Sequence, residues 1–162
     1  MKIELKSIKY AAFSSEETSC YQANLYVDGK KIGSVSNEGH GGCDNFYGDR
    51  EAFDRADKWC RANLPKWKLD CGANPDEEHE TDLEMHCATL LQNHLIKQDY
   101  QRTVRKKLLI VYPDKQGVYQ INHGGQVELT AAKLREQRPT AKVLNLLPLD
   151  EALTIYRAQV GG

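Results

Sequence analysis

The sequence has no apolar stretch long enough to cross a membrane; its densest run, Leu108–Tyr112, has the length of a buried strand. It also lacks a charge excess. Lys and Arg number 22 against 23 Asp and Glu, a formal net charge of −1. That argues against a dedicated nucleic-acid or membrane-surface domain, which carries a clear basic surplus. No secretory leader is expected either. Met1-Lys2-Ile3-Glu4-Leu5-Lys6 alternates polar and apolar residues, with no apolar core and no cleavage site. The expected location is the cytoplasm. The five cysteines, Cys20, Cys43, Cys60, Cys71 and Cys87, are odd in number and widely spaced. They read as free thiols in a reducing compartment, not as a disulfide framework. There is no internal repeat and no low-complexity tract.

What is present suits one domain. A chain of 162 residues, 40% hydrophobic and 28% charged, is of ordinary globular composition. At this size it buries roughly 70% of its unfolded surface without needing disulfides or metal.

Residues 2–13 read as a strand. In Cys20–Val27, Tyr21, Ala23, Leu25 and Val27 fall on one face. Asp28-Gly29 is a hairpin signal, because both central turn positions favour positive φ. Lys31–Ser36 is then the return strand, with Ile32, Ser34 and Ser36 on one face and Gly33 and Val35 on the other. Residues 37–49, rich in glycine, are expected to lack regular structure. Asp49 caps a helix marked by Phe53, Ala56, Cys60 and Leu64, which Pro65 ends. Residues 66–75, with Gly72 and Pro75, form a linker.

A long helix is expected from about Asp76 to about Lys106. Its apolar stripe is Leu83, Cys87, Leu90, Leu91, His94, Leu95 and Gln98. Acidic residues crowd its start and basic residues its end, as the helix dipole favours. After it come a strand at Leu108–Tyr112, a turn at Pro113–Gly117 and a return strand at Val118–Asn122. A short helix capped by Thr130, a strand at Val143–Leu147 and a last helix capped by Asp150 complete the chain. The fold class is α+β: an N-terminal three-stranded antiparallel meander, a helix, a long charge-polarised helix, then a second β-hairpin with short helices. The whole chain, 1–162, reads as one domain. A subdivision into 1–65 and 76–162 is the alternative.

Four constellations carry candidate chemistry. The loop Gly39-His40-Gly41-Gly42-Cys43 contains His-x-x-Cys, half of a zinc knuckle, whose other half would have to come from Cys60 or Cys71. A Cys43 nucleophile with His40 as base would need an orienting third group. Successive backbone N–H groups there suit an anion, but the Lys-Ser/Thr ending of a phosphate loop is missing. The plainer reading is a packed glycine turn with Cys43 half-buried. On the long helix, His79 and His86 are seven residues apart, about 10.5 Å along the axis and too far for one ion. His94 reads as a partly buried core residue. Arg102, Arg105, Lys106 and Lys107, near Tyr100, Tyr112 and Tyr119, offer phosphate contacts beside stacking surfaces. Glu77, Glu78, Glu80, Asp82 and Glu84 offer an acidic surface to a basic partner. The helix dipole accounts for both charge runs without any ligand.

Residues 7–65 resemble a group of small phage and prophage proteins. The likeness is carried by Ile8-Lys9-Tyr10-Ala11-Ala12-Phe13, Ser15-Glu16-Glu17-Thr18, Tyr26-Val27-Asp28-Gly29-Lys30-Lys31-Ile32-Gly33 and Ser36-Asn37-Glu38-Gly39-His40-Gly41-Gly42. The resemblance implies a mobile-element origin and a bacterial host. Small accessory phage proteins often bind and block host proteins, antiviral defence systems such as CRISPR-Cas included. The leading expectation is therefore a non-enzymatic protein that binds a host protein, with no catalytic residues, cofactor, metal or membrane partner. Its contact surfaces would be Glu77, Glu78, Glu80, Asp82, Glu84 and the loop Gly39–Cys43. The alternatives are a small metal- or ligand-binding enzyme using His40 and Cys43, and a nucleic-acid binder using Arg102–Lys107.

Overall fold

The computed structural model describes residues 1–68 and 77–160. Cys71, Gly72, Pro75, Asp76 and most of the expected linker lie outside the described residues. Chain contacts divide the protein into two compact units, Met1–Gln92 and Asn93–Gly162.

The first unit is built on an antiparallel sheet ordered β1 (Ile3–Tyr10), β2 (Tyr21–Val27), β3 (Lys30–Asn37) and β4 (Asn45–Gly48). The three-stranded meander is there, and Asp28 (φ 49°) and Gly29 (φ 82°) turn its hairpin as their residue types require. The fourth strand corrects the expectation that residues 37–49 lack regular structure: Asn45–Gly48 pairs with Gly33–Ser36. A second correction concerns β3. Leu25 faces Gly33 while Tyr26 faces Lys31, so Ile32 is the extra residue of a bulge. The bulge lets Ile32 and Val35 both be buried despite their odd spacing.

Helix α1 (Arg50–Asn63) begins at Asp49, whose carboxylate accepts the Ala52 N–H at 3.0 Å. That cap is worth ~1 kcal/mol. Ala52, Ala56 and Cys60 face the sheet, joining Ile3, Leu25, Ile32, Leu83 and Cys87 in one apolar cluster. Gly33 makes this approach feasible, since a Cβ there would run into the Tyr47 carbonyl and lie 2.5 Å from the Phe53 ring. A two-residue ladder, β5 (Trp67–Lys68) with β6 (Glu78–His79), follows.

Helix α2 spans Leu83–Thr103, shorter than the expected Asp76–Lys106. Asp82 starts it. Its carboxylate accepts the Met85 N–H at 2.8 Å and its carbonyl the His86 N–H at 3.0 Å. The Thr81 hydroxyl donates to the Pro65 carbonyl, and Glu78 and His79 are already in a strand. The apolar stripe also differs from expectation. Leu83, Cys87 and Leu91 are buried, then Ile96 and Tyr100, while Gln98 is exposed and His94 half-buried. The spacing is four within each half and five at the break, and the division between the units falls in that stretch.

The second unit centres on β7 (Lys107–Val111), flanked by β8 (Tyr119–Asn122) and β9 (Lys142–Val143). Strand β7 is buried on both faces. Leu109 and Val111 join Ile96, Tyr100, Leu144, Leu153 and Tyr156. Leu108 and Ile110 join Ala131, Leu134, Ala141 and Val143. Helix α3 (Val127–Gln137) starts before Thr130, which lies inside it. Beyond β9 the chain makes a 3-10 turn at Leu144–Leu146 where a longer strand was expected. Asn145 explains the turn: its side chain accepts the Leu109 N–H at 2.7 Å and donates to the Lys107 carbonyl at 3.0 Å. Helix α4 (Leu149–Val160) places Asp150 in its first turn, not at a cap.

Candidate functional site

The polar face of α1 leads to the site. Arg50, Asp54, Asp57 and Arg61 recur at steps of four, three and four, so they share one side of the helix. With the start of α2 and the end of β4 they enclose a cleft of about 590 Å³ in the first unit. Phe46, Phe53 and Leu83 supply its apolar lining; Asp54, Asp57, Asp82 and Glu84 supply four carboxylates against two guanidiniums. The volume is that of a ligand-sized pocket.

Arg61 organises the rim. Its guanidinium donates to Asp57 at 2.7 Å and lies 3.6 Å from Asp82 and 3.8 Å from Glu80. The hydrogen bond to Asp57 comes first in holding its charge, and the other carboxylates add to it. Asp57 also accepts the Leu83 N–H at 2.9 Å, tying α1 to the start of α2. The ion pairs of α1 join Glu51 to Arg55 and Asp57 to Arg61, and Asp54 takes part in neither. Its exposed carboxylate is available to a cation from outside.

The expected acidic surface is thus only partly one surface. Asp82 and Glu84 line the cleft, and Glu80 reaches its Arg61 rim. Glu77 and Glu78 are exposed and lie upstream of α2, so the helix dipole does not account for them. The Glu84 carboxylate also accepts the Asp44 N–H at 2.8 Å.

The glycine loop is built around Asn37, a buried side chain with all four hydrogen-bonding positions engaged. It accepts from the Gly39 N–H (2.9 Å) and the Thr18 hydroxyl (2.7 Å), and donates to the Gly42 carbonyl (2.9 Å) and Asp44 (3.1 Å). Asp44 also accepts from the Tyr21 hydroxyl. Burial pushes the Asp44 carboxyl above its ordinary range, against the hydrogen bonds from Tyr21 and Asn37 that lower it. Burial, then the Asp44 contact, pushes the Tyr21 phenol up.

Two of the loop's N–H groups are engaged internally: the Gly39 N–H is taken by Asn37 and the Gly41 N–H by Thr18. His40 and Cys43 are both exposed, which corrects the half-buried reading of Cys43. His40 sits 3.3 Å from Glu16. Cys60 is in the core, where burial lifts its thiol to about 11. Among the described residues no three His, Cys, Asp or Glu side chains are grouped to hold a metal ion.

In the second unit, Arg102 is held by Asp99 at 2.7 Å, Arg105 and Lys106 are exposed in the turn after α2, and Lys107 opens β7. Tyr100 is buried with its hydroxyl on the Leu144 carbonyl, so it offers no stacking face. Tyr112 and Tyr119 meet edge to face at 5.2 Å, with Lys115 near both rings.

Asp54, Asp57, Arg50 and Arg61 were missed as site residues, although their spacing announces a polar helix face. No helix among the described residues is long and apolar enough to cross a membrane. No known protein family, curated protein or solved structure matches the chain.

Proposed function

We propose that the chain is a non-enzymatic binding protein that engages a partner protein by inserting a Lys or Arg side chain of that partner into the α1–α2 cleft. The observation that carries this reading is the pairing of an apolar lining with a carboxylate majority. The aliphatic stem of a long basic side chain covers Phe46, Phe53 and Leu83. Its charged end then meets Asp54, which has no internal ion pair in α1, and the ring faces add a cation–π contribution. We further propose, from the resemblance to phage and prophage proteins expected from the sequence of residues 7–65, that the partner is a bacterial host protein, with antiviral defence components such as CRISPR-Cas in that class.

The test is affinity capture from a bacterial lysate, comparing the wild-type chain with Asp54→Lys. A partner held by wild type and lost at least tenfold with Asp54→Lys, more weakly held as salt rises, supports the reading. A captured partner indifferent to both changes sinks it. So does turnover of a small molecule by a chain that captures no protein.

A further inference from the structure

Phe13 is 91% exposed, the most solvent-exposed of the large apolar side chains described, ahead of Tyr47 at 64%. A lone exposed apolar residue needs no explanation in general. What sets Phe13 apart is the framework beneath it. It sits in a 3-10 turn, Ala12–Ser14, closed by the Ser14 N–H on the Ala11 carbonyl at 3.1 Å. The Ser15 hydroxyl donates to the same carbonyl at 3.0 Å and accepts the Cys20 N–H at 2.9 Å.

The segment that follows is clamped to the glycine loop. The buried Gly39 carbonyl accepts the N–H groups of Glu16, Glu17 and Thr18 at 3.0 to 3.3 Å. Gly39 has φ +90°, and a Cβ there would run into the Ser14 carbonyl and lie 2.9 Å from the Cys20 Cβ. Only glycine lets the two loops close this tightly. The backbone of the turn is therefore hydrogen-bonded in place without a partner, so docking through Phe13 carries less of the backbone ordering cost and leaves mainly that of its own side chain.

The geometry points to Phe13 as the aromatic anchor of a protein–protein interface, inserted into an apolar pocket bordered by Lys or Arg on the partner. Buried aromatic anchors dominate interface energetics. The basic border follows from charge complementarity: exposed Glu16, Glu17 and Glu38 stand on the two clamped loops, with His40 beside Glu16. A second copy of this chain is disfavoured as the occupant, because like-charged loops would meet there. This inference rests on the reading of the chain as a protein binder but not on the cleft.

The test places the photo-crosslinking residue p-benzoylphenylalanine at position 13 of the full chain and irradiates it in bacterial lysate. The expected result is one heteromeric adduct whose crosslinked peptide is apolar and carries Lys or Arg within a few residues. Wild-type chain should compete for it at least tenfold better than Phe13→Ala. Phe13→Trp should retain most of the competition. Tryptophan fluorescence and urea unfolding check that each variant is folded. No adduct, an adduct with a second copy, or equal competition by Phe13→Ala overturns the proposal. If Asp54→Lys abolishes capture while Phe13→Ala does not, Phe13 fails and the binding function stands. If the wild-type chain captures nothing, both fail.

Discussion

Replacing Asn37 with Ala probes the glycine loop where its bonds converge. The side chain makes four hydrogen bonds, to the Gly39 N–H, the Thr18 hydroxyl, the Gly42 carbonyl and Asp44. The Gly39 bond is buried, so its loss leaves a donor without water, at ~1–3 kcal/mol. The other three are half-buried, and water replaces part of each, leaving ~0.5 kcal/mol apiece. The sum is about 3 kcal/mol. Urea unfolding followed by tryptophan fluorescence is the assay, because the two tryptophans, Trp59 and Trp67, both lie in the first unit. A loss of that size lowers the midpoint by about 1–3 M at unchanged slope. The neighbouring exposed Glu38→Ala should stay within about 0.5 kcal/mol of wild type. An Asn37→Ala midpoint equal to that of Glu38→Ala would refute the reasoning, since the loop would then hold its shape without its hub.

Two further expectations concern ionisation and thiols. Folding raises the Asp44 pKa, so the native state holds that proton more tightly than the unfolded chain. Its contribution to stability therefore falls as pH rises from the ordinary carboxyl value of 3.8 through the higher native value, and the loss is complete above it. Asp44→Asn should remove that descending component from a stability–pH profile; a profile that keeps the same shape contradicts it. Iodoacetamide labelling read by peptide mass spectrometry should modify exposed Cys43 in the native protein and reach buried Cys60 and Cys87 only after unfolding. Burial raises the pKa of both core thiols, which slows them further. Native labelling of Cys60 or Cys87 as fast as Cys43 would show that the core assignment is mistaken.

Much of the fold was legible because local signals and burial agree. Asp28-Gly29 demands a hairpin, the Asp49 cap fixes the start of α1, and the unbroken Leu108–Val111 run marks a strand buried on both sides. What escaped depends on partners distant in sequence. Ile32 looks in phase with Ser34 and Ser36, and only pairing with β2 shows the bulge. Asn45–Gly48 carries a strand-compatible Phe-Tyr pair, but the neighbouring glycines hid it. The acidic run suggested an early helix start, whereas the Trp67–Lys68 ladder claims Glu78 and His79 and leaves Asp82 as the cap.

The candidate site followed the same division. Asp82 and Glu84 are visible in the sequence as acidic residues, yet their opposing wall on α1 is brought to them only by the tertiary fold, and the helix announces itself chiefly by its apolar stripe. The glycine loop was visible as a sequence feature. Its content was not, since Asn37 links Thr18, Gly39, Gly42 and Asp44 through contacts that no spacing rule reveals.

The most direct test of the binding account is a hydrogen-exchange footprint of the full chain with its captured partner. The account predicts slowed exchange at β4, the exposed face of α1 and residues 82–84, and loss of that protection with Asp54→Lys. Protection confined to residues 102–122, with the cleft amides unchanged, would contradict it.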